Sequence, residues 1–91
     1  MTPQEIRVAE MSDKFKALSH PHRLNIVREL MRQPGNVTHI QQQLGIPQPS
    51  VSAHLARLRT AGIIHGQRHG QEIEYRLVDE EMRGIVQSLF V

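Results

Sequence analysis

Gln48, Ser50, Ser52 and Ala53 crowd the front of a stretch whose apolar positions, Val51, Leu55 and Leu58, repeat with helical spacing. Side chains of this kind suit reading the edges of base pairs. A helix entering the major groove needs small or polar groups at its leading end, because bulky ones would hold it away from the bases. Glutamine pairs bidentately with adenine, and a serine hydroxyl both donates and accepts. His54 lies on the same stretch, and Arg57 and Arg59 follow it, placed for phosphates rather than bases. The plainer alternatives are that Ser50 merely caps the helix and that the other small residues fill its surface. Arg68 and His69, beside Gly70, form a second basic group, which a hairpin tip would carry to the sugar-phosphate edge or the minor groove.

Other chemistries find less support. The chain has no cysteine, which removes disulfides, thiolate metal ligands and a thiol nucleophile together. Neither a glycine-rich phosphate loop nor a serine-histidine-acid set stands at plausible positions, so an enzyme is not expected. Six histidines are present. His20 and His22 flank Pro21 and could reach one ion, but two ligands do not make a zinc site, so no metal or cofactor is expected. A dimer bringing two such pairs together would be the route to an unusual histidine site. His39 and His54 fall on helical stretches, His65 and His69 in the hairpin. Near their ordinary pKa, His54 and His69 would gain charge and DNA affinity as pH falls. No run approaches the roughly 18 apolar residues of a membrane span. Met1 to Glu10 mixes charges without an apolar run, so a cytoplasmic protein is expected.

The elements that must position these groups are legible. Val8, Met11, Phe15 and Leu18 form one helical stripe, and a helix over about 4–18 should stop near Ser19-His20-Pro21. Pro21 suits the first turn of a second helix with Leu24, Val27, Leu30 and Met31 inward, ended by Gln33-Pro34-Gly35. A short third helix runs from about Thr38 to Leu44, with Val37, Ile40 and Leu44 inward and Gly45 at its end. The fourth carries the candidate reading face and closes at Ala61-Gly62. Ile63 to Gln67 and Glu72 to Val78 then read as strands of a hairpin with Arg68-His69-Gly70-Gln71 at its tip. A last helix, over about 79–90, is capped by Asp79 and turns Met82, Ile85, Val86 and Leu89 to one side.

The order α-α-α-α-β-β-α describes a mainly α fold with a small β-hairpin, a winged helix-turn-helix forming one domain over 1–91. In such a unit the second helix of the pair lies in the major groove and the first braces it. Charge follows the same division. From Lys14 to Arg76 nine basic residues stand against three acids, a balance of +6, whereas the flanks hold two against six, a balance of −4. That suits a polyanion in the middle and a protein partner at the ends. Met11, Phe15, Leu18, Met82, Ile85, Val86 and Leu89 exceed what so small a core should cover, and are expected at a homodimer interface between terminal helices.

Lys16 to Leu24, Val37 to Leu44, Gln48 to Leu58, Ala61 to Ile64 and Arg68 to Gln71, in that order, resemble the ArsR/SmtB repressors over about residues 10–90. The resemblance implies a homodimer joined through its first and last helices, binding a double-stranded, palindromic DNA operator and released by an inducer. Many members sense metals. The family's thiolate site would fall at Asn36 and Thr38, neither of which supplies a thiolate. Its other site pairs an aspartate with a histidine two residues on; Asp79 matches, Glu81 replaces the histidine, and the sequence stops at Val91 before the remaining ligands. The familiar metal sites are therefore not expected to work here, and no residue pattern specifies an inducer. A winged helix that docks on protein rather than DNA is the rival reading. The basic, small-residue surface speaks against it, since a protein-binding face should be more apolar.

Overall fold

A computed structural model describes residues 1–90. Its elements are α1 (Pro3–Leu18), α2 (Pro21–Arg32), α3 (Val37–Leu44), α4 (Gln48–Thr60), β1 (Ile64–His69), β2 (Glu72–Leu77) and α5 (Glu80–Leu89). Local chemistry sets most of the boundaries. Proline occupies the first turn of α1, α2 and α4, where its missing N–H costs nothing. Side chains of Thr2, His20, Asn36 and Asp79 accept N–H groups at the starts of α1, α2, α3 and α5. Gly45 ends α3 with φ 67°, the left-handed conformation in which glycine meets no Cβ penalty. Helix α4 starts at Gln48, two residues ahead of Ser50, and its N-cap, Pro47, makes no side-chain bond. Ser50 is thus not a cap: it sits in the first turn.

The inner faces of all seven elements meet in one core. Ala17 and Leu18 come from α1, Ile26, Val27 and Leu30 from α2, Ile40 from α3, and Val51, Leu55 and Leu58 from α4. Ile63, Ile64, Tyr75 and Leu77 of the hairpin region, with Met82 and Val86 of α5, complete it. Ile26, absent from the expected inner face of α2, is fully buried.

The expected dimer seam is corrected in the same way. Leu18, Met82 and Val86 are buried within the single chain, so they belong to its core and not to a free surface. The stripe on α5 is divided by packing: Met82 and Val86 are covered by the rest of the chain, whereas Leu89 is exposed and Ile85 half-buried. On α1, Val8 and Phe15 are exposed and Met11 is half-buried.

Strands β1 and β2 pair antiparallel from Ile64↔Leu77 to His69↔Glu72. The connection is therefore only Gly70-Gln71, and Arg68 and His69, expected in the tip itself, end the first strand instead. Gly70 has φ 66° while Gln71 is not among the residues with positive φ, the signature of a type II′ turn. A main-chain bridge joins the hairpin to the helices: Gly35 N–H donates to the Tyr75 carbonyl at 3.1 Å, and Tyr75 N–H to the Gly35 carbonyl at 2.8 Å. The stretch Gln33-Pro34-Gly35, which sequence marks only as a helix stop, thus anchors the wing.

Gly66 lies opposite Tyr75, where an added Cβ would meet Ile73 Cγ2 at 2.9 Å and Tyr75 Cε1 at 3.1 Å. Gly66→Ala is expected to lower stability by about 1–3 kcal/mol through overpacking beneath that ring, read by denaturant unfolding. An unchanged midpoint would mean that Tyr75 yields freely.

Candidate nucleic-acid interface

Burial of Val51, Leu55 and Leu58 leaves the opposite side of α4 to solvent. Gln48, Ser52, Ala53, Ala56 and Arg59 are exposed there, while Ser50, His54 and Arg57 occupy a half-buried flank. The three small or polar residues at the leading end thus face outward as the sequence suggests. Ala56 and Arg59 extend the same surface, and their helical spacing from Ser52 is the signal that identifies them. Helix α3 packs beside α4, joined by the Gly45-Ile46-Pro47 turn with Ile46 buried. Arg68 and His69 lie exposed on the wing.

Charge on this surface is sorted by ion pairing. Arg32 Nη1 lies 2.8 and 2.9 Å from the two carboxylate oxygens of buried Glu29, which also meets His39 Nε2 at 3.2 Å. Arg76 Nη2 is 2.8 Å from Glu74 Oε1, and His69 Nε2 lies 3.8 Å from the same oxygen. Arg28 stands over the Phe90 ring, 3.9 Å from its centroid, and Arg23 Nε donates to the Ala17 carbonyl at 2.6 Å. Arg57, Arg59 and Arg68 pair with no carboxylate among the described residues. Of the central basic residues, Lys14, Arg32 and Arg76 are thus paired with carboxylates, whereas Arg57, Arg59 and Arg68 keep their charge on α4 and the wing.

His54, expected to face DNA, packs instead against two other imidazoles. Its ring centroid lies 4.4 Å from that of His20 and 5.6 Å from that of His22. Burial, and then Coulombic repulsion with His20, Arg23 and His22, hold its pKa below the ordinary histidine value. Gain of charge on His54 is thus pushed to more acidic pH than an unperturbed histidine would need.

The positions matching the family's metal ligands are committed elsewhere. Asn36 Oδ1 accepts the His39 N–H at 2.8 Å, capping α3. Asp79 Oδ1 accepts the Met82 N–H at 3.0 Å, and Lys14 Nζ forms an ion pair with its Oδ2 at 2.7 Å. Burial opposes ionisation of Asp79, but the bonds from Lys14 and the Met82 N–H outweigh it and keep its carboxyl below the usual range. Glu81 pairs with Arg7. Carboxylates tied to α1 in this way are not free to hold an ion, and Asn36 and Thr38 offer no soft donor, so neither site fits a metal.

Known proteins share both the sequence pattern and the geometry. Residues 20–65 match the bacterial regulatory protein, arsR family. A biofilm growth-associated repressor of Xylella fastidiosa is 37% identical over 86 residues, spanning 94% of this chain and 75% of that protein. The crystal structure of the transcriptional repressor BigR from Xylella fastidiosa superposes with a TM-score of 0.87 at 36% identity, covering 99% of this chain and 94% of that one. The transcriptional repressor PagR of Bacillus anthracis does so with a TM-score of 0.87 at 35% identity, covering 93% and 98%. The chain belongs to the arsR family of bacterial regulatory proteins, with the winged helix-turn-helix fold of its repressors.

The His54 environment has a consequence for stability. A base whose folded pKa is depressed stabilises fully above its unfolded value, near 6.5, and that contribution is lost as pH falls from there toward the folded pKa. Wild-type protein in chelator is expected to melt at lower temperature as pH drops from 7.5 to 5, and His54→Gln, which cannot titrate, to show a shallower decline. Equal slopes would remove His54 as the cause.

Proposed function

We propose that this chain is a homodimeric transcriptional repressor that binds an imperfectly palindromic operator, with α4 in the major groove and the hairpin as a wing along the backbone. The observation that carries this reading is the exposed face of α4: Gln48, Ser52 and Ala53 present small or polar groups outward while Arg59, and Arg68 on the wing, keep unpaired positive charge. Gln48 and Ser52 read base edges, Ala53 allows close approach, and Ser50 and Arg57 support them from the flank. Arg57, Arg59, Arg68 and His69 meet phosphate or sugar. The protein acts in the cytoplasm by occupancy of DNA and not by catalysis; among the described residues no helix is long and apolar enough to cross a membrane.

The dimer is the second part of the proposal. Val8 at 63% exposure, Phe15 at 48% and Leu89 at 66% leave apolar surface on both terminal helices. Val8, Met11, Ser12 and Phe15 line a shallow, mainly apolar groove on α1. Lys14–Asp79 and Arg7–Glu81 tether α1 to the start of α5, and the apolar residues that the two helices expose make up the proposed contact surface. A symmetric contact of about 800 Å² per subunit would cover it at the size typical of a stable complex, with Met11, Phe15, Ile85 and Leu89 as its apolar members.

Two recognition helices in such a dimer sit about 34 Å apart, one turn of DNA. Gln48→Ala is expected to cost about 1–3 kcal/mol on the operator and much less on random DNA. Arg68→Ala should weaken both and reduce the salt slope by about one. Footprinting upstream of the gene followed by salt-dependent titration checks this, and equal losses on both DNAs for Gln48→Ala would overturn its assignment to base reading.

Leu89→Glu places a charge in the apolar surface without touching the core of the single chain. It should weaken both self-association and operator binding. Sedimentation showing wild-type monomer at micromolar concentration would exclude the dimer.

A further inference from the structure

Three imidazoles from separate points of the sequence converge where α1 gives way to α2 against the middle of α4. His20 is the N-cap of α2, His22 lies in its first turn, and His54 belongs to α4. All three are half-buried, with ring centroids 4.4 to 5.6 Å apart and planes inclined at 47° to 78° rather than stacked. One nitrogen from each can be chosen so that all lie within 4.8 Å of one another, the only such group of three or more histidines or acids among the described residues. We propose that His20, His22 and His54 form an intrachain binding site for one divalent transition ion of the imidazole-preferring class: zinc, cobalt or nickel.

Geometry and donor chemistry both favour this. Zinc–nitrogen bonds of about 2.1 Å place tetrahedral ligand atoms roughly 3.4 Å apart, a closing movement within the range of side-chain rotation. Pro21, in the first turn of α2, holds His20 just outside the helix and His22 just inside it, so that both rings face His54. Three neutral nitrogens suit transition ions and not magnesium or calcium, which require oxygen. No carboxylate joins the group, and the nearby charge of Arg23 disfavours any cation held by field alone. The ion must therefore be held by direct coordination, with a fourth position open to water or another ligand.

Occupancy has a structural consequence. His20 Nδ1 accepts the His22 N–H at 3.0 Å. An ion at Nδ1 displaces that bond, and an ion at Nε2 moves the ring proton to Nδ1 and ends its role as acceptor. Either way the site exchanges the cap of α2 for a clamp between the start of α2 and α4. This site is separate from the Asn36–Thr38 and Asp79–Glu81 positions considered above.

The full chain, stripped of metal and titrated with cobalt, tests the assignment. One ion per chain should bind with the visible absorption of four-coordinate cobalt, and zinc should displace it and raise the melting temperature of the protein. His22→Ala and His54→Ala should each weaken binding by tenfold or more, while His65→Ala, on β1, leaves it unchanged. As a check independent of the variants' folding, zinc should also shift the imidazole NMR signals of His20, His22 and His54 in the wild type and spare those of His65 and His69. Folded wild-type protein that binds no cobalt, binding unaltered by both alanine variants, or zinc shifts confined to other histidines would overturn the proposal.

Discussion

The two reciprocal hydrogen bonds between Gly35 and Tyr75 decide how the two halves of the molecule face each other. A hairpin of two short strands is not stable by itself. Here its second strand finds a third partner in the loop before α3, while the Ile63 carbonyl accepts the N–H groups of Val78 and Asp79. Tyr75 turns its ring into the core beneath Gly66, and Leu77 and Ile64 follow it inward. The wing is thereby placed by main-chain bonds to the loop that opens the helix-turn-helix. Arg68 and His69 then stand in a constant relation to α4, as a surface that engages a groove and its flanking backbone at once requires.

Charge performs a different task in each region. Lys14–Asp79 and Arg7–Glu81 link α1 to the start of α5, and Asp79 combines this with capping α5, so one carboxylate both fixes where the helix starts and ties that end to α1. Glu29 gathers Arg32 and His39 at the α2–α3 junction, satisfying a buried carboxylate that would otherwise be costly. Pairing with Arg32 and Arg76 occupies Glu29 and Glu74, two of the three central acids. Among the described residues, Arg57 and Arg59 on α4 and Arg68 on the wing pair with no carboxylate.

The positions that match the family's metal ligands have structural roles in this chain. Asn36 is a helix cap, Asp79 a cap and an ion-pair partner, and Glu81 a tether to α1. The lack of any cysteine removes thiolate ligands. The fold gathers three of the six histidines into one place.

Local sequence by itself determined the elements and which face of α4 is exposed. Proline in first turns, glycine at the end of α3, aspartate before α5 and period-two alternation in β2 all act within a few residues, so their consequences follow from nearest-neighbour chemistry. The outward direction of Gln48 and Ser52 follows too, because Val51, Leu55 and Leu58 name the buried side of the same helix. What tertiary structure alone decided involves residues distant in the chain. Helical spacing put Leu18, Met82 and Val86 on the same stripes as Phe15 and Leu89, but only packing divided those stripes between the core and solvent. The bridge from Gly35 to Tyr75, and the meeting of His54 with His20 and His22, have no local signature, since each joins positions some thirty to forty residues apart. Such contacts depend on how several apolar faces pack together at once, which no single stretch of sequence encodes.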